Sequence, residues 1–317
     1  MKYLLKVTLL LFIFFSFAFI LQSQKKPLVI ISTDIGGDDP DDYQSMVHLL
    51  HYADKFEIMG LISSPPKKGR KEHILEVLEA YEEDFAVLKK HSTDFPLPEA
   101  LKKIVFQGAL DAQKREIPAQ TSSGAQHIIK VLSQSKDPVW VLVWGSITDV
   151  AQAVHTSPRI KKNLRVYSIG SWNTRHDSLA RNYLYNEHKD LWWIESNTTF
   201  RGMYVGGNQK ANMDNQSFVS TYLKDHGALG QLFYEKKADI KMGDTPSVLY
   251  LLHGDRNDPE GESWGGTYRK TGHGPYYWTD IIEEGLREKQ YDGAKTVNKY
   301  RNEFLNDWAK RMAWFID

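Results

Sequence analysis

Residues 26–42 read KPLVIISTDIGGDDPDD, and this stretch predicts both the fold class and the position of a functional site. Its first half is a short run of apolar residues, many of them β-branched, which is typical of a parallel strand buried on both faces. Where that strand ends, five carboxylates fall within nine positions: Asp34, Asp38, Asp39, Asp41 and Asp42. So many like charges repel one another strongly unless a cation lies among them.

Part of this acidic run has a simpler explanation, which is helix capping. Asp39 can cap a helix, Pro40 can be its first residue, and Asp41 and Asp42 suit the positive end of the helix dipole. Capping requires only one or two acids, however, and Asp34 precedes the helix. We therefore favour a hard cation with oxygen ligands, Ca²⁺ before Mg²⁺.

Strands and helices alternate along most of the chain. The predicted strands are residues 26–33, 56–62, 139–143 and 164–169. The alternation predicts a doubly wound α/β fold with a mainly parallel sheet, in which ligands bind at the carboxyl ends of the strands. Trp192 and Trp193 are predicted to lie on a helix, with at least one of them in the core. No linker or repeat is visible, so we expect one domain over residues 26–317.

The composition excludes several classes of protein. Lys and Arg (40 residues) balance Asp and Glu (40 residues), which gives a net charge of zero. A protein that binds nucleic acid through counterion release normally has a basic excess or stripe, so we expect no nucleic-acid partner. The absence of cysteine excludes disulfides, zinc–thiolate sites, iron–sulfur clusters and cysteine nucleophiles.

The amino terminus predicts export. Residues 1–6 carry two lysines, and residues 7–21 (VTLLLFIFFSFAFIL) are almost wholly apolar. This apolar run is short for a bilayer span, which takes about 20 residues, and the charged start is typical of a secretory signal. We predict a signal peptide at residues 1–24 and a periplasmic or secreted protein. The small-residue cleavage signal is poor, which leaves an uncleaved membrane anchor as the alternative.

The acidic stretch resembles the signature of a known family. A strand that ends in Asp, followed by Gly and then by an Asp-Asp pair that opens a helix, is similar to the inosine/uridine-preferring nucleoside hydrolases. The resemblance implies a doubly wound α/β domain with a calcium ion at the strand ends. The usual spacing of the family after Asp34 selects Asp38 and Asp39 as the pair. Helix phasing favours Asp41 and Asp42 instead, which implies a two-residue insertion.

Two later segments extend the resemblance. Residues 141–153 (VLVWGSITDVAQA) are similar to the Gly-Pro-Leu-Thr-Asn segment of the family, in which the residue before glycine gives a backbone carbonyl to calcium. Residues 243–250 (GDTPSVLY) are similar to its His-Asp-Pro segment, whose aspartate completes the metal site, although a helix cap is the alternative for this aspartate. The resemblance therefore implies a calcium site formed by Asp34, Asp42, the Trp144 carbonyl and Asp244.

The same comparison suggests residues for the substrate. Asn186, with Asp190 four positions later, resembles the asparagine with which the family holds the sugar; a turn-forming asparagine is the alternative. Gly243 stands where the family typically has a histidine in the leaving-group site. His273 is a candidate replacement, with a solvated surface histidine as the alternative. Trp264 is a candidate for stacking on a sugar or base, although core packing explains most aromatic residues equally well.

Four segments resemble in particular the nucleoside-hydrolase-like branch that is labelled cellulose-binding. They are residues 33–42, 198–204, 243–252 and 264–268. The second of them contains Arg201, which is a candidate partner for a carboxylate or a ligand, with surface solvation as the alternative.

The residues and the resemblance together predict an exported, calcium-dependent hydrolase that cleaves glycosyl or N-ribosyl bonds with metal-activated water. Asp34 is the predicted base, and Asp41 is predicted to accept a hydrogen bond from a sugar hydroxyl. The expected partner is a nucleoside, another small glycoside or an oligosaccharide; contact with a membrane is expected only through an uncleaved signal, and a homo-oligomer is left open. The alternative function is a non-catalytic, calcium-dependent carbohydrate-binding protein on the same fold, which the missing histidine favours.

Overall fold

The computed structural model describes residues 25–37, 39–64 and 68–316, so the predicted signal peptide at residues 1–24 lies outside the described part. The strands are β1 (Leu28–Thr33), β2 (Glu57–Ser63), β3 (Val105–Gln107), β4 (Val139–Val143), β5 (Leu164–Ile169), β6 (Trp192–Ser196), β7 (Arg269–Lys270) and β8 (Tyr277–Thr279). They form one sheet in the order β3-β2-β1-β4-β5-β6-β8-β7. All neighbouring pairs are parallel except β7 and β8 at one edge.

Helices cover both faces of this sheet. The helices are α1 (Asp41–His51), α2 (Lys71–His91), α3 (Pro98–Lys102), α4 (Ser123–Gln134), α5 (Thr148–Thr156), α6 (Trp172–His176), α7 (Ser178–Glu187), α8 (Asn215–Tyr222), α9 (Gly227–Lys236), α10 (Thr245–Leu252), α11 (Lys295–Asn298) and α12 (Arg301–Met312). Short 3₁₀ turns lie between several of them, including Thr199–Met203 after β6. Within the described residues, we find no helix that is both long and apolar enough to cross a membrane.

The central strands are apolar throughout because both of their faces are buried. In β1, Val29 and Ile31 face one hydrophobic core, and Ile30 between them faces the other. In β4, Leu142 and Val143 divide between the two cores in the same way. Strands with two buried faces are expected to be continuous hydrophobic runs rather than alternating ones. The predicted doubly wound α/β fold with a mainly parallel sheet is confirmed.

The sheet reverses its direction of winding between β1 and β4. The helix that follows β1 packs into one core through Met46 and Leu49, whereas the helix that follows β4 packs into the other through Val150 and Ala151. The chain therefore leaves the two neighbouring strands towards opposite faces and opens a crevice beyond their carboxyl ends. In doubly wound folds this is where ligands bind.

The prediction of a helix at Trp192 and Trp193 is wrong. Both residues lie in β6, which pairs in parallel with β5 on one side and β8 on the other. Successive strand residues point to opposite faces, so Trp193 enters one core and Trp192 lies against Trp140 on the other face. The expectation that at least one of them is in the core is confirmed.

Two buried histidines of α1 make the fold sensitive to acid. His48 and His51 are buried, and Trp308 of α12 donates its indole N–H to Nδ1 of His51 at 3.2 Å. Burial lowers the pKa of His51 to about 3, and the positive charge of Arg311 adds to this effect. Burial also lowers the pKa of His48 well below its usual range. Both histidines are therefore neutral in the folded protein near neutral pH.

We expect His51→Gln to weaken the acid sensitivity of the fold. A histidine with a lowered pKa takes up a proton on unfolding, so acid favours the unfolded state. His51 leaves the stability unchanged above pH 6.5 and lowers it progressively as the pH falls towards about 3. Over this window the free energy of unfolding should fall less steeply in the variant, by up to about 1.4 kcal/mol per pH unit. Urea denaturation followed by tryptophan fluorescence at several pH values measures both slopes, and equal slopes would contradict the expectation.

Candidate metal centre

A cleft of about 340 Å³ opens at the carboxyl ends of the central strands. Its walls come from the segments that follow β1, β4, β5 and β6 and from the loop before α10. The aspartates form an acidic wall, and aromatic and basic side chains line the rest of the cleft. The cleft therefore lies where the reversal of the sheet predicts a ligand site.

Three carboxylates form the centre of the acidic wall. One oxygen each of Asp41, Asp42 and Asp244 can be chosen so that all three lie within 4.8 Å of one another. Asp41 and Asp42 are the first residues of α1, and Asp244 immediately precedes α10. The positive ends of two helices thus point at the same place, which favours negative charge there.

Hydrogen bonds hold two of these carboxylates in the interior. Asp42 is buried, and its Oδ1 accepts a hydrogen bond from the hydroxyl of Thr33 at the end of β1. The same Thr33 oxygen accepts the backbone N–H of Ile35 at 3.1 Å. Asp244 is also buried, close to the Ser45 hydroxyl on α1. The carboxylates are therefore built into the junction of β1, α1 and α10.

The three carboxylates do not all carry charge easily in the protein alone. Burial raises the pKa of Asp41 to about 7, and the negative charges of Asp39 and Asp34 add to the effect. Burial and nearby aspartates also raise the pKa values of Asp42 and Asp244 well above their usual range. A bound cation would reverse this, because opposite charge favours the ionised carboxylate.

The residues present fit a hard divalent cation. The side-chain donors are all carboxylate oxygens, the ligand type that Ca²⁺ and Mg²⁺ prefer. Among the described residues, Oδ2 of Asp244 is buried and has no hydrogen-bond partner. A buried carboxylate oxygen without a partner is costly, and a metal ion would supply the missing interaction.

Asp34 lines the same cleft beside this group. Its negative charge raises the pKa values of Asp41, Asp42 and Asp244. The turn that carries it is fixed by Gly145 at the end of β4, where a Cβ atom would lie only 2.6 Å from Cβ of Asp34. Only glycine leaves room for this approach of the two strand ends.

The carbonyl of Trp144 also lies at the cleft, and it already has one partner. Asn173 on α6 donates its side-chain N–H to this oxygen at 2.6 Å, and the Trp144 indole donates to the Ser247 hydroxyl at 2.8 Å. A carbonyl oxygen has two lone pairs. One of them therefore remains for a metal ion.

The alternative pair of metal ligands from the sequence is Asp38 and Asp39. Asp39 forms an ion pair with Lys241 and lies outside the close group of three carboxylates. Asp38 lies outside the described residues. Helix α1 begins at Asp41, and Asp39 makes no capping hydrogen bond to it, so the expected cap at Asp39 is absent.

Comparisons with known proteins identify the family of this chain. A family model described as cellulose-binding Sde182, nucleoside hydrolase-like domain, matches residues 28–268. The chain belongs to this family. A search of curated proteins gave no match.

Solved structures show the same nucleoside hydrolase-like fold. A nucleoside hydrolase-related protein from Saccharophagus degradans, described as associated with carbohydrate metabolism, is 24% identical with a TM-score of 0.73, over 92% of this chain and 72% of that chain. The inosine-uridine preferring nucleoside hydrolase of Bacillus anthracis is 14% identical with a TM-score of 0.53, over 90% and 100% of the two chains. The type III effector XopQ, solved with adenosine diphosphate ribose, is 10% identical with a TM-score of 0.55, over 93% and 95%. At these identities, the likeness establishes the fold.

Asn186 is not among the residues that line the cleft of this nucleoside hydrolase-like domain, and its role in holding the sugar stays a prediction. It is exposed near the end of α7, and Asp190 pairs with Lys161 at 2.5 Å. The asparagine that lines the cleft is Asn173, whose amide N–H groups hold the Trp144 and Ile169 carbonyls.

Trp264 and His273 also lie away from the cleft. The Trp264 ring stacks on His253 at 4.7 Å, and its indole donates to Glu303 at 3.2 Å. The His273 ring stacks on Tyr185 at 3.4 Å, and its Nε2 lies 2.6 Å from the Tyr185 carbonyl oxygen. Both rings pack against other rings, and neither lines the cleft, so their substrate roles stay predictions.

Sequence reasoning missed the segment that follows β5. It places Trp172, Asn173 and His176 in the cleft, with the Trp172 and His176 rings 3.8 Å apart. Trp172 is 53% exposed, which is unusual for so large an apolar side chain. The signal was available, because a polar and aromatic stretch directly after a predicted strand is where a doubly wound fold binds ligands.

Gly243 lies closely between the Asp41 carboxylate and the Phe200 ring. A Cβ atom at this position would lie 3.3 Å from Oδ2 of Asp41 and 3.3 Å from the Phe200 ring. Any side chain here would require one of them to move. Among the described residues that line the cleft, the one histidine is His176.

Proposed function

We propose that this chain is an exported, calcium-dependent hydrolase of glycosyl bonds, either N-ribosyl bonds or related ones. The observation that carries this function is the group of Asp41, Asp42 and Asp244 in a cleft at the winding reversal of the sheet. Membership of a nucleoside hydrolase-like family supports it. Such a cleft has the volume expected for a small-molecule site.

Calcium would be held by Asp34, Asp42, Asp244 and the Trp144 carbonyl, with Asp41 as the remaining carboxylate of the close group. When bound, calcium supplies a positive charge that lowers the pKa of water and attracts the hydroxyls of a vicinal diol. Enough carboxylates are present both to hold the ion and to contact the substrate. Five aspartates line the same cleft: Asp34, Asp39, Asp41, Asp42 and Asp244.

The side chains of the protein supply the other steps. A carboxylate oxygen of Asp34 accepts the proton of the attacking water. Asp41 accepts a hydrogen bond from a sugar hydroxyl, which orients the ring. The negative charge of the acidic wall stabilises the positive charge that develops at the anomeric carbon as the bond breaks. The leaving group departs with the bonding electron pair and takes a proton from solvent water. Trp172, which lines the same cleft, packs against the flat part of the substrate and excludes water.

A second function is favoured by Gly243, which provides no proton for a leaving group. The same cleft would then serve a non-catalytic, calcium-dependent carbohydrate-binding protein, and the family description names cellulose binding. The predicted partner in either case is a nucleoside, another glycoside or an oligosaccharide. The balanced charge of the chain gives no support for a nucleic-acid partner.

Calcium-dependent turnover separates the two functions. We expect the purified protein to bind calcium and to release reducing sugar from at least one nucleoside or glycoside, and to stop when EGTA removes calcium. Retention on a polysaccharide with no turnover in a broad screen would favour the binding protein. Absence of calcium binding would contradict both functions.

Export is tested separately. A periplasmic or secreted protein should be found outside the cytoplasm after cell fractionation, and its mature chain should begin after residue 24. Recovery of a soluble cytoplasmic protein that begins at Met1 would contradict export.

A further inference from the structure

Arg201 is a basic side chain in the cleft without an acidic partner. It lies on the 3₁₀ turn Thr199–Met203 after β6 and lines the same cleft as the aspartates. Among the described residues it forms no salt bridge, whereas Lys241 in the same cleft is paired with Asp39. The acidic wall therefore has its own cation in Lys241, and the charge of Arg201 remains unpaired.

Aromatic rings and hydroxyl groups hold the guanidinium in place. It lies 4.9 Å from the centre of the Phe200 ring and 4.8 Å from that of Tyr291. Its Nη1 donates to the Tyr204 hydroxyl at 2.9 Å, and its Nη2 lies 3.4 Å from the Ser171 hydroxyl. These partners orient the planar group without neutralising it. An arginine that is held in this way loses little freedom when it binds an anion.

The hydrogen-bonding capacity of Arg201 is not used up. A guanidinium has five N–H donors. Its Nε is buried and has no acceptor among the described residues. Nη1 and Nη2 each donate to one hydroxyl, which leaves one N–H on each of them for a carboxylate or phosphate group. Hydrogen bonds that these groups accept from arginine are roughly twice as strong as those between neutral groups.

The backbone beside Arg201 is held in a rare conformation. Ser171, whose hydroxyl faces Nη2, has φ 60° and ψ −100°, and its N–H donates to Oδ1 of Asn197 at 3.1 Å. A non-glycine residue in this region costs about 1–3 kcal/mol and is often found where a ligand binds. It is followed directly by Trp172, the exposed ring of the same cleft.

Asp41 and Arg201 are close enough to contact one ligand. A Cβ atom placed on Gly243 would lie 3.3 Å from the Asp41 carboxylate and 3.3 Å from the Phe200 ring. The guanidinium of Arg201 lies over the same ring. A ligand that contacts the Asp41 carboxylate there would lie beside the Phe200 ring, next to the guanidinium of Arg201.

We propose that Arg201 makes this cleft selective for acidic glycosides, in which the sugar carries a carboxylate or a phosphate group. Because it concerns the same cleft, this inference rests on the proposed function. It names the substrate class that the comparisons leave open. Arg201 acts as a specificity-determining residue, and no step of bond cleavage is assigned to it.

Binding of small sugars tests this directly, without turnover. Titration calorimetry at constant calcium concentration would compare glucuronate with glucose and ribose 5-phosphate with ribose. We expect at least one acidic sugar to bind roughly tenfold or more tightly than its neutral parent. The pair that shows the preference identifies the carboxylate or the phosphate as the natural group.

Variants assign the preference to the guanidinium. Arg201→Gln should remove it, and Arg201→Lys should keep part of it, because lysine retains the charge but not the fork of donors. The matched control is Arg256→Gln, which lies at the amino ends of the strands and should keep the full preference. Circular dichroism would confirm that each variant is folded.

Two outcomes would overturn the inference. The first is equal affinity for acidic and neutral sugars. The second is a preference that persists in Arg201→Gln, because calcium or Lys241 would then hold the anion. Failure here is distinguishable from failure of the proposed function. Acidic sugars that bind through Arg201 but are never released from glycosides would contradict only the hydrolase, whereas turnover of neutral glycosides without preference would contradict only the role of Arg201.

Discussion

Asp42→Asn should abolish calcium binding and hydrolysis while leaving the protein folded. The Asp42 carboxylate is buried against Thr33 and belongs to the group that includes Asp41 and Asp244. We expect calcium affinity to fall by more than roughly 100-fold. Changing a residue that only supports a metal ligand costs about 10- to 100-fold, and losing a direct ligand should cost more. In EGTA, the variant should be at least as stable as the wild type, because a buried carboxylate that neighbouring aspartates repel is gone. Calorimetry and thermal denaturation measure the two effects.

Asp39→Asn is the matched control. Asp39 lies in the same loop but pairs with Lys241, so calcium affinity should change by less than roughly tenfold. Loss of calcium in Asp39→Asn with retention in Asp42→Asn would place the metal at Asp38 and Asp39 instead. Retained calcium affinity in both Asp34→Ala and Asp42→Asn would overturn the site.

Arg301→Met should lower the free energy of unfolding by about 3 kcal/mol or more. Arg301 is completely buried at the start of α12, and all its hydrogen-bond acceptors are uncharged. These acceptors are the carbonyl oxygens of Met203, Asn208 and Met213 and Oδ1 of Asn215. Each lies 2.7–3.0 Å from a guanidinium nitrogen of Arg301. Burial lowers the pKa of Arg301 to about 10, which still leaves it charged at neutral pH. Methionine fills similar space but leaves these acceptors without a donor.

The same substitution at the surface provides the comparison for Arg301. Arg269 forms an exposed salt bridge with Glu283, so Arg269→Met should cost at most about 1 kcal/mol. Urea denaturation at fixed pH measures both variants. Equal, small losses would show that the buried guanidinium is dispensable.

The strands of the sheet could be predicted because burial on both faces leaves a mark in the sequence. Residues 28–33, 139–143 and 164–169 are apolar runs with turn or helix signals at their ends, and each is a strand of the sheet. The pattern failed at Trp192 and Trp193, because a short apolar run does not by itself distinguish a strand from a buried helix segment.

The substrate side of the cleft was less accessible to sequence reasoning. Asn186, Trp264 and His273 have suitable chemistry but lie on surfaces that face away from the cleft or pack against other rings. Asn173 and Trp172 have equally ordinary residue types and do line it. Residue type states what a side chain can do, whereas its distance from the site depends on the strand order.

The sequence by itself determined the fold class and the acidic loop, because hydrophobic periodicity and a run of five aspartates are local features. Only the tertiary structure decided which carboxylates meet. Asp41 and Asp42 join Asp244, some 200 positions later, because α1 and α10 direct their amino ends to one point. It also brought Arg201 to the same cleft, since β5 and β6 extend the sheet beyond β4. Contacts between distant segments depend on the packing of the whole sheet, which no local pattern records.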